Sequence, residues 1–176
     1  MRFSPTKISG AYVIELEPVQ DERGFFARTF CQTEFEDHGL CGTFVQCSSS
    51  YSLKKGTLRG MHYQVPPHEE VKLVWCLRGS IYDVIVDLRL ESETFRHWVS
   101  LELNTVNGKM LYIPGGCAHG LLTLEDDTEV FYQMSEFYHP ESAQGFRWDD
   151  PAFRITWPFS PRVISANDLA YPDCGP

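Results

Sequence analysis

Two histidines stand beside glycines near the ends of apolar runs: His62 in Arg59-Gly60-Met61-His62, and His119 in Pro114-Gly115-Gly116-Cys117-Ala118-His119-Gly120. Histidine titrates close to neutrality, so either could take up or release a proton in a reaction. Glycine at 60, 116 and 120 lets backbone or ligand come close, which suits a pocket wall as well as a bulge. Taken singly, each histidine reads equally well as ligand-facing or as structural. Lys72, in Val71-Lys72-Leu73-Val74, is the natural cation. A lysine in a run otherwise suited to burial needs a partner or a ligand, unless it snorkels from the strand start. A histidine, a tyrosine donor and a fixed cation make a workable set for acid–base chemistry by side chains alone.

Other chemistries lack their spacing. The chain has no H-x-H, H-x-x-x-H or H-E-x-x-H; His62 and His68 are six apart with two prolines between them, and His38 falls in an expected helix. The four histidines besides His62 and His119 have no comparable setting. Ser48-Ser49-Ser50 is not a G-x-S-x-G elbow, no cysteine stands in an activating motif, and no glycine loop cradles a phosphate. No catalytic metal is expected.

The elements that must position these residues read as short strands: Ala11 to Leu16, Phe44 to Cys47, Thr57 to Tyr63, Val71 to Leu77, Ile81 to Leu88, Trp98 to Leu103, Met110 to Ile113, Leu121 to Leu124 and Glu129 to Met134. Turn signals such as Lys55-Gly56, Arg78-Gly79-Ser80 and Asn107-Gly108 separate them at the close spacing of antiparallel sandwiches and barrels. Within Ile81 to Leu88, strand alternation puts Tyr82, Val84, Val86 and Leu88 on one face and Ile81, Asp83, Ile85 and Asp87 on the other. Carboxylates among isoleucines either line a polar cavity or pair with neighbours such as Arg89, and pairing is the commoner outcome. One short helix is expected over Glu34 to His38, with Thr33 and Glu36 at capping-box spacing, Gly39 as its stop, and a barrel end beneath it. Only Tyr171 to Pro176 reads as a loose tail.

The 176 residues suit one domain, 1–176, burying roughly two-thirds of its unfolded surface. A net charge of −9 leaves no broad basic face for nucleic acid, so an anionic ligand needs a local basic pocket. No run reaches the ~18 apolar residues of a membrane span and the amino terminus has no leader-like apolar stretch. The expectation is a cytoplasmic protein whose six cysteines are reduced.

An ordered series of motifs resembles the dTDP-4-dehydrorhamnose 3,5-epimerase family and its sugar-nucleotide relatives: Asp21-Glu22-Arg23-Gly24-Phe25-Phe26, Gly56-Thr57-Leu58-Arg59-Gly60-Met61-His62-Tyr63-Gln64, Lys72-Leu73-Val74, Asp83 to Arg89, Ile113 to Gly120, Trp148-Asp149-Asp150-Pro151, Trp157-Pro158 and Ser165-Ala166-Asn167-Asp168. The resemblance spans nearly the whole chain. It implies an all-β, cupin-type jelly roll (double-stranded β-helix) with short peripheral helices, working as a homodimer without metal or cofactor on a nucleotide-diphosphate keto-sugar. It further implies His62 as base, Asp168 as the base's partner, Tyr132 as the acid on the opposite sugar face, and Lys72 as the cation stabilising an enolate. Arg59 and His119 match substrate-binding positions, and Arg23, Phe26, Gln46 and Tyr138 match nucleotide- and sugar-contacting ones.

Against the dTDP-specific pattern, Arg28 stands where Glu is usual and Ser48 where Asn is usual, both on the nucleotide side, while Ala143 and Asn167 replace commoner polar or charged residues. The chemistry is therefore better defined than the nucleotide. The expected activity is epimerisation at C3, C5 or both of a nucleotide-linked 4-keto-6-deoxy-hexose. The alternatives are a 3,4-ketoisomerase, a non-catalytic sugar-nucleotide-binding module and, last, a metal-dependent cupin oxygenase.

Overall fold

The structure, a computed structural model, describes residues 1–175. Fourteen strands and two short helices follow in the order β1 (Arg2–Pro5), β2 (Tyr12–Glu15), β3 (Val19–Asp21), β4 (Gly24–Phe26), α1 (Gln32–Asp37), β5 (Gln46–Ser52), β6 (Thr57–Gln64), β7 (Lys72–Arg78), β8 (Ser80–Asp87), β9 (Trp98–Asn104), β10 (Lys109–Ile113), β11 (Cys117–Thr123), β12 (Thr128–Met134), β13 (Ala143–Gly145), β14 (Val163–Ile164) and α2 (Ala166–Ala170). One sheet runs β1-β2-β10-β7-β12-β5; the second runs β13-β6-β11-β8-β9, with β14 added in parallel beside β6. The two face each other as the expected jelly roll.

Alternation along the strands fills the space between the sheets. Val74 and Cys76 of β7, Leu111 and Ile113 of β10 and Val130 of β12 meet Ile81 and Ile85 of β8, Leu103 of β9 and Leu121 of β11. Each such side chain contributes roughly 1.5–3 kcal/mol on burial. The outer face of the first sheet is also covered, by Phe35 and Leu40 against Ile14, Leu73, Met110 and Tyr112. Helix α1 therefore lies on a sheet face rather than over a barrel end. Its start differs too: Cys31 is the N-cap, with no side-chain cap bond, and Thr33 is inside the helix, so the Thr33–Glu36 capping box does not form. Gly39, at φ 71°, does take the left-handed conformation that ends it.

Both faces of β8 are buried. Val84 and Val86 pack against Phe146 and Phe153 of the carboxy-terminal segment, while Ile81 and Ile85 face the other sheet. Asp83 and Asp87 are fully buried. Asp87 accepts from Arg89 Nε at 2.8 Å and Nη2 at 2.7 Å, and from the Ser92 and Thr94 hydroxyls at 2.6 Å each. Burial opposes its ionisation, but these donors outweigh burial and hold the carboxyl far below the usual carboxylate range.

Two expected strands have different limits. The run expected at Phe44 to Cys47 is β5, displaced onto the serines, because an edge strand can leave its polar residues in water. The run expected at Leu121 to Leu124 begins at Cys117, since Cys117 to Gly120 pair with Asp87 to Val84. The tail is not loose as far as it is described: Pro172 O accepts from Arg147 N at 3.1 Å, Cys174 N donates to Asp150, and Gly175 O accepts from Arg96 at 2.6 Å. Pro176 lies outside the described residues. All six cysteines are free, and burial pushes the Cys76 and Cys117 thiols up to about 11 and about 12. Among the described residues no helix is long and apolar enough to cross a membrane.

Replacing Asp87 by Ala strands Arg89, Ser92 and Thr94 and is expected to cost about 3 kcal/mol in denaturant unfolding. A carboxyl held low when folded stabilises above its unfolded value, about 3.9, and loses that contribution as pH falls below it. The wild type's acid destabilisation below about pH 4 is therefore expected to be shallower in Asp87→Ala; equal slopes contradict the assignment.

Candidate active site

Strand β6 puts Arg59, Gly60, Met61 and His62 beside β11, with His62 opposite His119. The approach is close enough to require glycine. A Cβ on Gly60, at φ 129°, would lie 2.5 Å from the Gly120 Cα and 2.9 Å from the His119 carbonyl oxygen. A Cβ on Gly120 would meet the Met61 sulfur at 2.4 Å. The pairing register shifts between His119 and Leu121, the bulge a glycine at 120 permits.

Each histidine is held by a carboxylate. His62 Nε2 lies 2.6 Å from Asp168 Oδ1, and His119 Nε2 lies 2.7 Å from Asp83 Oδ1. Asp168 reaches β6 because β14 pairs in parallel with Thr57 and Leu58, and Ser165 then caps α2 by accepting from the Asp168 N–H at 3.0 Å. Burial opposes ionisation of Asp168, but the His62 hydrogen bond and charge, with further bonds from Ser165 and the Gly60 amide, hold it below the usual carboxylate range. An ionised Asp168 accepts the His62 Nε2–H and leaves Nδ1 as the basic nitrogen.

The opposite sheet supplies Tyr132 and Lys72. Tyr132 lies on β12, its ring edge-on to His119 at 6.1 Å between centroids, and its hydroxyl lies 3.2 Å from Ser50 Oγ. Burial pushes this phenol up to about 12 against the Ser50 hydrogen bond, so it stays protonated at neutral pH. Lys72, at the start of β7, does not snorkel; its Nζ is 2.7 Å from Glu70 Oε1, and both side chains are mostly buried.

These groups line two adjoining lobes, about 410 and about 550 Å³, that share His62, Lys72, Tyr132 and Tyr171. Gln46, Ser48 and Tyr138 line the first lobe; Arg59, His119 and Asp168 line the second. Arg59 is aimed by Ser52 Oγ at 3.3 Å and the Tyr51 carbonyl at 3.1 Å, and Gln46 Oε1 accepts from the Tyr138 N–H at 3.0 Å.

Three expected binding residues are elsewhere. Arg23 and Phe26 sit on the β3–β4 hairpin, where Arg23 pairs with Asp21 and Phe26 is 78% exposed. Arg28 pairs with Glu34 at 3.1 Å. Conversely, Glu70, Asp83, Ser50 and Tyr171 belong to the site and were not singled out as site residues from the sequence. Asp83 had a visible signal, a carboxylate in an apolar strand, and Glu70 stands two residues before the lysine that needs a partner; Ser50 and Tyr171 had none. His68 and His139, given no setting by sequence spacing, come together with Glu136, and this is the one cluster of three metal-ligand types among the described residues.

The family model described as dTDP-4-dehydrorhamnose 3,5-epimerase matches residues 5–174. The chain belongs to this family. A dTDP-4-dehydrorhamnose 3,5-epimerase of Methanothermobacter thermautotrophicus is 45% identical over 157 residues, covering 89% of this chain and 84% of the relative. Among solved structures, the Bacillus anthracis epimerase with TDP and PPi bound superposes with TM-score 0.95 at 36% identity, covering 98% of this chain and 99% of that one. The Legionella pneumophila dTDP-6-deoxy-D-glucose-3,5-epimerase, in complex with dTDP-4-keto-L-rhamnose, gives TM-score 0.91 at 38% identity, covering 98% and 92%. An epimerase of this family has to serve both faces of one carbon, and here the histidine pair and Tyr132 come from opposite sheets.

The β6–β11 approach gives a direct check. Gly60→Ala is expected to cost about 3 kcal/mol through overlap and backbone strain and to reduce turnover by displacing His62. A variant with wild-type melting and turnover contradicts the stated geometry.

Proposed function

We propose that the protein epimerises a dTDP-4-keto-6-deoxy-hexose at C3, C5 or both, without metal or cofactor. The observation that carries this reading is the single cavity onto which His62 with Asp168, Lys72, and Tyr132 all open. A hydrogen beside the C4 ketone is acidic only while the enolate oxygen is stabilised. Lys72 at that oxygen lowers the barrier by about 3–4 kcal/mol, the usual worth of one well-placed donor. His62 Nδ1 removes the proton, and Asp168 stabilises the imidazolium. Tyr132, protonated at neutral pH, returns a proton to carbon from the other face, and the enolate carbon is basic enough to take it from a phenol this weak. The C4 carbonyl re-forms as that carbon is protonated; His62 then gives its proton to solvent and the Tyr132 phenolate takes one back, so the net change is inversion.

Migration of the carbonyl between C3 and C4 would move a proton on oxygen as well as carbon, and product NMR distinguishes it from inversion. One domain over residues 1–176 is part of the proposal, supported by the two sheets sharing one core. A cytoplasmic setting is supported by the six free thiols.

The proposal extends to a homodimer. Val19, Phe25 and Phe26 are 73%, 69% and 78% exposed on a two-stranded hairpin too small to be stable alone. Arg23 and Phe26 match nucleotide-contacting positions yet stand outside their own chain's cavity, so each hairpin serves the cavity of the partner protomer.

In heavy water the wild type is expected to wash deuterium into the position beside the ketone. His62→Asn should abolish this, Asp168→Asn should slow it by about 10²-fold or more, and Tyr132→Phe should block inversion. Wild-type exchange in His62→Asn sinks the assignment of the base. A second assay tests the hairpin. Arg23→Ala and His62→Asn proteins, each impaired alone, are expected to regain activity when co-refolded, because mixed dimers then hold one complete cavity. No recovery, with mixed dimers shown to form, means that the hairpin does not cross.

A further inference from the structure

Behind the first lobe of the cavity, the chain on either side of Gln64 and Tyr138 brings His68, Glu136 and His139 together. His68 Nδ1 is 3.8 Å from Glu136 Oε2, and His139 Nε2 is 3.9 Å from Glu136 Oε1. One donor atom from each of the three lies within 4.8 Å of the other two. His68 Nδ1 is buried and has no hydrogen-bond partner. We propose that His68, Glu136 and His139 form a binding site for a divalent ion of the zinc class, which braces the cavity wall and takes no part in proton transfer.

Three features set this cluster apart from a chance meeting of side chains. The first is the outer contact on His139: its Nδ1 is 3.1 Å from Glu141 Oε1. A carboxylate there accepts the Nδ1–H and leaves Nε2 with its lone pair toward Glu136, the arrangement by which metal-bound imidazoles are oriented. The second is the backbone. Gln64 is 3% exposed, and its amide ties both ligand segments: Nε2 donates to the His68 carbonyl at 2.9 Å and to the Phe137 carbonyl at 3.1 Å, and Oε1 accepts from the His139 N–H at 2.7 Å. The ligand-bearing segments are therefore held in place by a residue that is not itself a ligand. The third is the donor set. Two imidazoles and one carboxylate suit Zn²⁺, Co²⁺ or Ni²⁺, whereas Mg²⁺ and Ca²⁺ require oxygen.

The geometry also states what must move. Ligands bonded at 2.0–2.1 Å lie at most about 4 Å apart, which both carboxylate–imidazole separations already satisfy. The two rings are stacked, with centroids 3.4 Å apart and planes 11° from parallel. An imidazole lone pair lies in its ring plane, so one ring turns out of the stack to share an ion with the other. Both side chains are 29% exposed, which leaves room for that turn. Water completes the coordination. Because Gln64 and Tyr138 line the cavity, an ion here stiffens the wall that presents Tyr138, and this holds whichever reaction the cavity performs.

Chelator-treated, reduced wild-type protein titrated with ZnCl2 in a calorimeter is expected to bind one ion per chain with micromolar or tighter affinity, and MgCl2 at the same concentration is expected not to compete. Glu141→Gln should weaken binding about 10-fold, and the His68→Gln, His139→Gln double variant should remove it. Zinc should raise the melting temperature of the wild type and leave the double variant unchanged. The free thiols are the competing ligands, so equal zinc binding by the double variant overturns the proposal, as does the absence of saturable binding to the wild type. Should the double variant misfold, ring NMR of the wild type decides: zinc must shift the His68 and His139 resonances, and shifts confined to other histidines overturn the site.

Discussion

Strands β6 and β11 meet so closely at Gly60 and Gly120 that a methyl group on either would overlap the other strand. That contact places His62 opposite His119, and the bulge after His119 absorbs the mismatch. A slip of one residue would turn each side chain to the other face of its sheet and take the histidines out of the cavity. Asp168 comes to the same strand through β14, which pairs in parallel with Thr57 and Leu58. Lys72 and Tyr132 need only the ordinary alternation of the facing sheet to reach the cavity.

Four aspartates are buried among the described residues; Asp150 accepts from the backbone N–H groups of Ala152 and Cys174, and side-chain partners separate the uses of the other three. Asp87 is answered by Arg89, which keeps its proton at any working pH, and by two hydroxyls; that network can only hold structure. Asp83 and Asp168 are each answered by a histidine, which can exchange a proton. Access then divides this pair. The His62 side chain is 44% exposed and His119 only 7%, so a substrate carbon can come to the first far more readily than to the second. Asp83 also keeps one buried oxygen, Oδ2, without a partner, which raises the cost of that arrangement and ties His119 more firmly to a positioning role.

The central strands were legible because their alternation is strict and both ends carry turn residues: β6, β7, β8, β9, β10 and β12 fall within a residue or two of the expected runs. What failed had a physical cause in each case. Ser48 to Ser52 looked polar because an edge strand has no second neighbour to bury it. Cys117 to Gly120 fell outside the expected run because Gly120, which interrupts the apolar pattern, serves the close approach to Gly60. Thr33 and Glu36 had cap spacing, but the tertiary contact of Phe35 with the sheet sets where α1 begins. In the site, the motif residues could be named and their company could not. Tyr171 is joined to His62 by folding rather than by spacing. His68 and His139 are separated by most of the second half of the fold, and no sequence pattern connects them.

The departure at Arg28 takes on a different meaning in the folded chain. Its guanidinium is 3.1 Å from Glu34, which also holds the amino-terminal ammonium at 2.9 Å. Glu34 is thereby kept below the usual carboxylate range, first by the amino terminus and then by Arg28. A glutamate at 28 would set two carboxylates against each other at the foot of the exposed hairpin, so arginine here is accounted for by a partner within its own chain. A change of nucleotide is not needed to explain it. Ser48 differs in kind: it lines the cavity itself, has no such internal partner, and is the position at which a difference in ligand would be felt directly.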